Sequence, residues 1–272
     1  MTAILHAILL GIVEGFTEFL PISSTGHLIV AEHVIGYKDT AQTFTVVVQL
    51  GAVAAVAWYY RNDLLHKVSG LFKGQKRAQK FWINLVIASI PAGFIGLLLD
   101  TTMEKYAVTS TVAVALIVGG FILLAAEALF AKKDAGNKQE LDSITPKQAL
   151  GVGVAQVFAL IPGVSRSGAT IVGGMFAGLN RLTAATFSFY MSLPILGLAS
   201  LYKLIKGREQ LDALPGGVTA LACGIVAAFI SALFVVSWLL KYVSTHNFKP
   251  FAYYRIVFGI FLLVLLATNT LN

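Results

Sequence analysis

Long apolar segments, separated by short polar loops, run along almost the whole chain. A helix needs about 20 apolar residues to cross the ~30 Å hydrocarbon core of a bilayer, and several segments approach or exceed that length. They predict six full transmembrane helices, over residues 41–60, 82–99, 111–131, 184–202, 216–240 and 251–268. The pattern therefore predicts an all-α polytopic membrane protein.

Two further apolar regions are interrupted by polar residues, Pro and Gly. In the region 148–180, each apolar piece has about 13 residues and would extend only about 20 Å as a helix. The region 2–35 has the same layout. Irregular backbone is tolerated at membrane depth only inside protein or beside a wet cavity, so each region predicts a re-entrant pair of broken helices.

The two halves of the chain also resemble each other, at an offset that drifts from about 142 to about 139 residues, as a duplication would produce. Matching positions are Gly11 and Gly153, Glu14 and Gln156, Gly26 and Gly168, Phe44 and Phe187, and Gly120 and Gly259. We therefore predict a single integral membrane domain built from two repeats, residues 1–135 and 147–272.

The distribution of Lys and Arg predicts how the chain is oriented. The loop 61–80 is rich in Lys and Arg and the loop 132–147 in Lys, which indicates the cytoplasmic side, whereas the loop 100–110 has only Lys105 and is expected outside. Threading the chain through these loops makes the segments 41–60 and 184–202 run in opposite directions. The repeats are therefore predicted to be inverted, an arrangement that places a site near the membrane midplane.

Composition supports the membrane interpretation and argues against nucleic-acid binding. The chain is 57% hydrophobic and only 12% charged, whereas soluble domains have about 25% charged residues. Its net charge of +7 is explained by cytoplasmic loops, so no nucleic-acid partner is expected. The single cysteine, Cys223, leaves no intrachain disulfide. The first apolar segment lacks a preceding basic region and a small-residue cleavage site, so a removable signal peptide is not expected.

The first interruption carries ionisable groups, which cost roughly 2.5–3.5 kcal/mol each at the bilayer centre. Glu14 and Glu18 are four residues apart on one helix face, so they repel unless one is protonated or a cation lies between them. Mg²⁺ typically binds one or two carboxylates together with substrate phosphates. The alternative is a protonated pair that is hydrogen-bonded to neighbouring helices.

Hydroxyl groups and a histidine follow in the same interruption: Ser23, Ser24, Thr25 and His27. One hydroxyl suffices to cap the next helix, and the N-terminus of that helix favours an anion. His27 lies three residues after Ser24, so it can share the same face and act as acid or base. Simple packing is the alternative role for this histidine.

The second interruption centres on Arg166, with Ser165, Ser167 and Thr170 around it. A planar guanidinium matches phosphate oxygens, so Arg166 is predicted to clamp an anion. The alternative is a structural ion pair with one of the two acids. Because inverted repeats would bring the two interruptions together, we predict one pocket that combines acids, hydroxyls, a histidine and an arginine and suits phosphate.

Both motifs resemble the signature motifs of the bacterial undecaprenyl-diphosphate phosphatases, the bacitracin-resistance family: EGFTEFLPISSTGH at 14–27 and PGVSRSGAT at 162–170. The resemblance extends over essentially the whole length. It implies hydrolysis of undecaprenyl diphosphate to the monophosphate, which recycles the lipid carrier for peptidoglycan and other envelope polymers and confers bacitracin resistance. It also implies a divalent cation, Mg²⁺ or Ca²⁺, and a site that opens on the outer, periplasmic face of the bacterial cytoplasmic membrane.

Carried over by motif position, the resemblance gives Glu14 and Glu18 a role in metal binding or catalysis. Ser24 and His27 become the nucleophile or base region, and Arg166 holds phosphate with Ser165, Ser167 and Thr170. We also expect Ser23 and Thr25 to bind the substrate phosphate. Our hypothesis is in-line attack by Ser24 with His27 as its base, although His27 or a metal-bound water could be the nucleophile instead.

A transporter or flippase for a phosphorylated lipid or anion is the alternative function, because inverted repeats with broken helices are also a transporter architecture. The expected partners are undecaprenyl diphosphate and the lipid bilayer. The chain could also form a homo-oligomer.

Overall fold

The computed structural model describes residues 1–37, 39, 43–106, 108–130, 140–207, 211 and 214–271, without the side chains of 100–105. Within these ranges the chain is helical and contains no strand. The α-helices are α1 Thr2–Thr17, α2 Ser24–Ile35, α3 Thr43–Tyr59, α4 Arg61–Phe72, α5 Lys76–Lys105, α6 Thr109–Phe130, α7 Pro146–Val157, α8 Arg166–Phe176, α9 Arg181–Lys206, α10 Gly217–Val243 and α11 Lys249–Ala267.

Five of the described helices, α5, α6, α9, α10 and α11, are long and apolar enough to cross a membrane. Helices α3 and α4 meet the same criteria only as a pair, which is bent by 74° at the break between them. The all-α polytopic membrane class is therefore confirmed. The sixth predicted span, 41–60, corresponds to α3, and its residues 41 and 42 lie outside the described ranges.

The segment 61–80, predicted as a loop, is mostly helical. Helix α4 occupies its first part, and α5 begins at Lys76, before the predicted start at residue 82. Charged and polar residues alternate with apolar ones in α4, so a search for continuous apolar runs missed it. The Tyr190 hydroxyl in α9 donates a hydrogen bond to Asp63 in α4. Among the basic residues predicted in the central loop, Lys132, Lys133 and Lys138 lie outside the described residues.

Both predicted interruptions are present and share an unusual backbone conformation. The chain leaves helix α1 after Thr17 and re-enters helix at Ser24; it leaves α7 after Val157 and re-enters at Arg166. Just before the second helix of each pair, Ser23 has φ 70° and ψ 102°, and Ser165 has φ 72° and ψ 114°. Positive φ is uncommon for a residue with a side chain and costs of order 1–3 kcal/mol. Two equivalent serines therefore hold the same strained conformation.

Helix packing also agrees with the internal resemblance. Helix α1 packs against α10, and α7 packs against α5. A Cβ atom on Gly11 would lie 2.2 Å from the carbonyl oxygen of Gly224, and one on Gly153 would lie 2.4 Å from that of Ala88. Each glycine thus lets two backbones approach closely. The inverted direction of the repeats and their boundaries stay predictions.

Apolar side chains are distributed as a bilayer requires. The largest buried cluster surrounds the two interruptions and includes Phe19, Ile22 and Phe189. On the outer faces of the long helices, large apolar residues such as Phe94 and Phe234 are exposed. Such extensive exposure would be unfavourable in water but suits contact with lipid.

Candidate functional site

The two interruptions lie against each other, as the sequence predicted. The Ser167 hydroxyl in the second donates a hydrogen bond of 2.7 Å to the carbonyl oxygen of Leu20 in the first. Arg166 and Glu18 join the same two segments through an ion pair of 3.1 Å. The polar groups of the two interruptions therefore form one shared site.

Glu18 is the central acceptor of this site. Its Oε2 accepts a 2.7 Å hydrogen bond from the Ser24 hydroxyl, and its Oε1 accepts from Arg166 Nη2 at 3.1 Å. The Arg166 Nη1 group donates to the Ser188 carbonyl oxygen at 2.9 Å. The side chains of Arg166 and Glu18 are 9% and 7% exposed. A serine hydroxyl, a carboxylate and a guanidinium are thus held in fixed contact, and the ion pair considered for Arg166 is present.

Glu14 lies one helical turn before Glu18 and is fully buried. It is within electrostatic range of Glu18 and Arg166, yet neither of its carboxylate oxygens accepts a hydrogen bond within the described structure. A buried carboxylate without partners is costly unless a cation or a proton neutralises it. This orphaned group therefore fits a divalent cation.

The donor set also limits how such a cation would be held. The described residues contain no group of three or more His, Cys, Asp or Glu side chains able to ligate a metal. Glu14 and Glu18 could supply carboxylate oxygens, and the remaining ligands would have to come from substrate or water. That division is typical of Mg²⁺ sites that act on phosphates.

His27 has other partners than Ser24. Its Nδ1 lies 2.7 Å from the Ser23 carbonyl oxygen, which can only accept, so Nδ1 carries the hydrogen. Its Nε2 lies 2.6 Å from the Tyr254 hydroxyl, and its ring stacks on Phe258 with centroids 4.4 Å apart. The structure therefore ties His27 to the Ser23 loop and to α11, with no hydrogen bond to Ser24.

The hydroxyls of the second interruption mainly hold its backbone. Ser165 Oγ accepts from the Gly168 amide at 3.1 Å and so caps α8. Thr170 Oγ1 donates to the Arg166 carbonyl oxygen at 2.9 Å and lies 2.6 Å from Ser188 Oγ. Ser167 and Thr170 are fully buried. Their hydrogen bonds shape the loop that presents Arg166.

A cavity of about 230 Å³ opens between these groups. The polar residues of its wall are Glu18, Ser23, Ser24, Thr25, Gln49, Gln156, Ser165 and Arg166. Apolar residues of α5, α9 and the second interruption complete the wall. Of the predicted site residues, Glu14, His27, Ser167 and Thr170 are not part of this wall.

Arg255 lies near the start of the last apolar segment, where a basic residue would be expected to anchor the helix at the membrane interface. In the structure it is only 2% exposed. Its hydrogen bonds within the described structure all go to backbone carbonyl oxygens: those of Leu116, Ala115, Pro21, Gly163 and Val164. A Cβ on Gly119 would lie 2.0 Å from its guanidinium. Arg255 thus connects both interruptions to α6. Gly119, which leaves room for its guanidinium, is the sequence feature that could have indicated this contact.

Glu127 lies near the end of an apolar segment, where an acidic residue would be expected at the membrane interface, but it is fully buried. It accepts from Arg181 Nε at 2.9 Å and from the Phe248 amide at 2.8 Å. The ion pair links α6 to α9, and the hydrogen bond from Phe248 links α6 to the start of α11. Sequence analysis identified Gln156 only as the match of Glu14 and did not identify Ser188, the partner of Arg166.

These features define a class: an integral membrane protein whose broken helices present a serine, a carboxylate and an arginine to a small cavity. Comparison with known proteins identifies the family to which the chain belongs. The chain belongs to the bacitracin resistance protein BacA family, whose model matches residues 7–261.

Curated relatives cover nearly the whole chain. One is "Undecaprenyl-diphosphatase 1" of Burkholderia cenocepacia (strain HI2424), 48% identical over 272 residues, which are 99% of this chain and 98% of the relative. Another, of Burkholderia thailandensis, is 47% identical over 264 residues, 96% of this chain and 95% of the relative. "Undecaprenyl-diphosphatase" of Burkholderia mallei (strain SAVP1) is 46% identical with the same coverage.

Proposed function

We propose that this protein hydrolyses undecaprenyl diphosphate to undecaprenyl phosphate and inorganic phosphate. Family membership and the names of the relatives support this activity. The observation that carries it is the hydrogen-bonded series from Ser24 through Glu18 to Arg166 at the cavity wall. The reaction recycles the lipid carrier for peptidoglycan synthesis and confers resistance to bacitracin.

The cavity suits the head of such a substrate. Its volume of about 230 Å³ is below the ~300–1,000 Å³ of pockets that enclose whole ligands. A diphosphate group can enter it, whereas a long isoprenoid chain must remain outside. Exposed apolar side chains on the surrounding helices offer that chain a surface continuous with the lipid.

In the proposed reaction, Ser24 Oγ attacks the terminal phosphorus in line with the bridging oxygen. The hydroxyl proton passes to Glu18 Oε2, which already accepts its hydrogen bond at 2.7 Å. The bond from phosphorus to the bridging oxygen breaks, and undecaprenyl phosphate leaves with the bonding electron pair. Water then attacks the phosphorus of the phosphoserine, and the bond from phosphorus to Ser24 Oγ breaks. Glu18 returns its proton to Ser24 Oγ, and the released phosphate keeps the protons of the water. Glu18 takes the role of base first considered for His27, because Glu18 is the group in contact with Ser24.

Arg166 supplies positive charge where phosphoryl oxygens become more negative. Fixed donors of this kind stabilise the transition state without reorganising during the reaction. The bonds to Glu18 and Ser188 hold the guanidinium in place, while its Nε hydrogen has no partner in the described structure. His27, fixed by Ser23 and Tyr254, supports the loop that carries Ser24.

We further propose that Mg²⁺ or Ca²⁺ is held by Glu14 and Glu18, and that the bound cation would offset charge on the phosphate oxygens. The unpartnered, fully buried carboxylate of Glu14 supports this assignment. We also propose that the protein resides in the bacterial cytoplasmic membrane with its cavity open to the periplasm, which the basic loops predicted for the cytoplasm support.

The direct test measures phosphate release from undecaprenyl diphosphate by the protein purified in detergent, with Mg²⁺ and with EDTA. We expect cation-dependent release that falls by at least about 1,000-fold in Ser24→Ala, because a nucleophile has been removed. Ser244→Ala changes an exposed serine remote from the site and serves as the matched control.

Two results would contradict the proposal. Substantial turnover by Ser24→Ala would exclude the serine as nucleophile. A well-folded wild-type protein that binds the lipid without releasing phosphate would favour the transporter.

A further inference from the structure

Gln156 is a buried amide without a hydrogen-bond partner. It is 1% exposed and lies at the end of α7, next to the last residue of that helix. Neither its Nε2 nor its Oε1 makes a hydrogen bond within the described structure. Leaving such a group unsatisfied lowers stability, so buried amides are nearly always paired unless a ligand completes them.

The surroundings of Gln156 indicate which kind of ligand would do so. Gln156 forms part of the wall of the cavity that also contains Ser24, Glu18 and Arg166. Arg166 Nε is a second donor there without a partner. In the described part of the chain, unpartnered buried side-chain atoms number eight, and five of them belong to Glu14, Gln156 and Arg166. Two of these five atoms are donors, Gln156 Nε2 and Arg166 Nε, and the other three are acceptors. Both unused donors belong to residues of the cavity wall, where an anion would satisfy them.

Comparing Gln156 with its counterpart in the first half indicates why an amide occupies this position. The matching position holds Glu14, and both residues are fully or almost fully buried with unpartnered polar atoms. A carboxylate at position 156 would neutralise Arg166 and repel a phosphate. An amide of the same length keeps a donor at this position without adding negative charge. The change from the carboxylate of Glu14 to the amide of Gln156 therefore suits phosphate binding.

We propose that Gln156 is a substrate-binding residue that donates its Nε2 hydrogen to an oxygen of the diphosphate, beside Arg166. The inference rests on the proposed diphosphatase activity, since it assigns a further contact to the same substrate. Hydrogen bonds to a charged group are stronger than neutral ones, so this contact makes a measurable contribution to affinity.

The test compares Gln156→Leu and Gln156→Glu with wild-type protein, measuring KM, kcat and the thermal unfolding midpoint in detergent. For Gln156→Leu we expect KM to rise about 10- to 100-fold with kcat nearly unchanged, as the loss of a binding contact predicts. Its unfolding midpoint should equal or exceed that of wild type, because an unsatisfied polar group has been removed. Gln156→Glu should raise KM further, because it adds a negative charge.

Gln148→Leu is the matched control, since Gln148 lies in the same helix but is fully engaged. Its Oε1 accepts from the Thr145 amide at 2.9 Å, and its Nε2 donates to the Ala177 carbonyl oxygen at 3.1 Å. We expect this variant to lower the unfolding midpoint without changing KM. If Gln156→Leu behaves like the control, or if its KM stays within about twofold of wild type, Gln156 has only a structural role.

Stabilisation by inorganic pyrophosphate separates this inference from the proposed activity. If wild type releases no phosphate, the diphosphatase proposal fails, but a pyrophosphate-induced rise in its unfolding midpoint that is lost in Gln156→Leu would still support the anion contact. Equal stabilisation of wild type and Gln156→Leu, or of neither, would overturn it.

Discussion

The ion pair between Arg166 and Glu18 should dominate the stability of the site. The Arg166→Ala variant leaves Glu18 as a buried charge without its partner. Two unit charges 3.1 Å apart attract by about 5 kcal/mol at an effective dielectric constant of ~20. Breaking a buried pair from one side costs about 3–5 kcal/mol, because the remaining charge stays desolvated. We expect Arg166→Ala to lose stability within that range.

A second substitution distinguishes uncompensated charge from lost packing. Glu18→Gln in the Arg166→Ala background removes the negative charge and keeps the side-chain shape. It should recover about half of the lost stability or more, giving a coupling of at least ~1.5 kcal/mol between the two positions. Phosphate release should not recover, because the guanidinium and the proton acceptor for Ser24 are then both absent.

The assay is chemical unfolding in detergent for the two single variants, the double variant and wild type, together with phosphate release. Arg61→Ala is the control: its guanidinium hydrogen-bonds the Trp58 carbonyl oxygen in an exposed setting, so the change should stay within about 0.5 kcal/mol. If Arg166→Ala is as stable as wild type, or if the double variant recovers no stability, the reasoning about buried charge is refuted.

Three further predictions concern neighbouring groups. Glu14→Gln should raise the cation concentration needed for half-maximal phosphate release by at least about tenfold, as loss of a metal ligand does; an unchanged dependence would remove Glu14 from the cation site. Tyr254→Phe should cost about 1 kcal/mol of stability by removing its hydrogen bond to His27, with kcat little changed; a fall of about 100-fold would instead indicate proton transfer through His27. Gly11→Ala should lower the free energy of unfolding by about 1–3 kcal/mol, because its Cβ would meet the α10 backbone, whereas Gly93→Ala should be neutral or stabilising, because its Cβ would make only an ordinary contact of 4.0 Å with Ile195.

The sequence was informative where physical constraints were local. Apolar segments of sufficient length predicted the spans, and Pro and Gly between short apolar pieces predicted the broken helices. The cost of placing charge in a bilayer indicated Glu18 and Arg166 as site residues, and the structure brings them into contact. Helix α4 was missed because its apolar residues are interleaved with polar ones.

Contacts between distant segments were harder to infer. Nothing within a few residues of Arg255 indicates that its guanidinium binds carbonyl groups of α6 and of both interruptions. The same holds for Glu127, whose partner Arg181 is 54 positions away. For His27, its spacing from Ser24 predicted a shared helix face, but it did not predict that Ser23 and Tyr254 engage its ring nitrogens.

The equivalent conformations of Ser23 and Ser165 have a consequence for how the two halves divide the chemistry. The backbone is alike at these points, but the next residue is Ser24 in one half and Arg166 in the other. If Ser24 is the nucleophile and Arg166 the phosphate-binding residue, as proposed, two copies of the first half would present nucleophiles and acids on both sides and would repel a phosphate. Two copies of the second half would bind phosphate but would lack the nucleophile. On this proposal, the chemical difference between the halves lets one chain both attract the phosphate and cleave it.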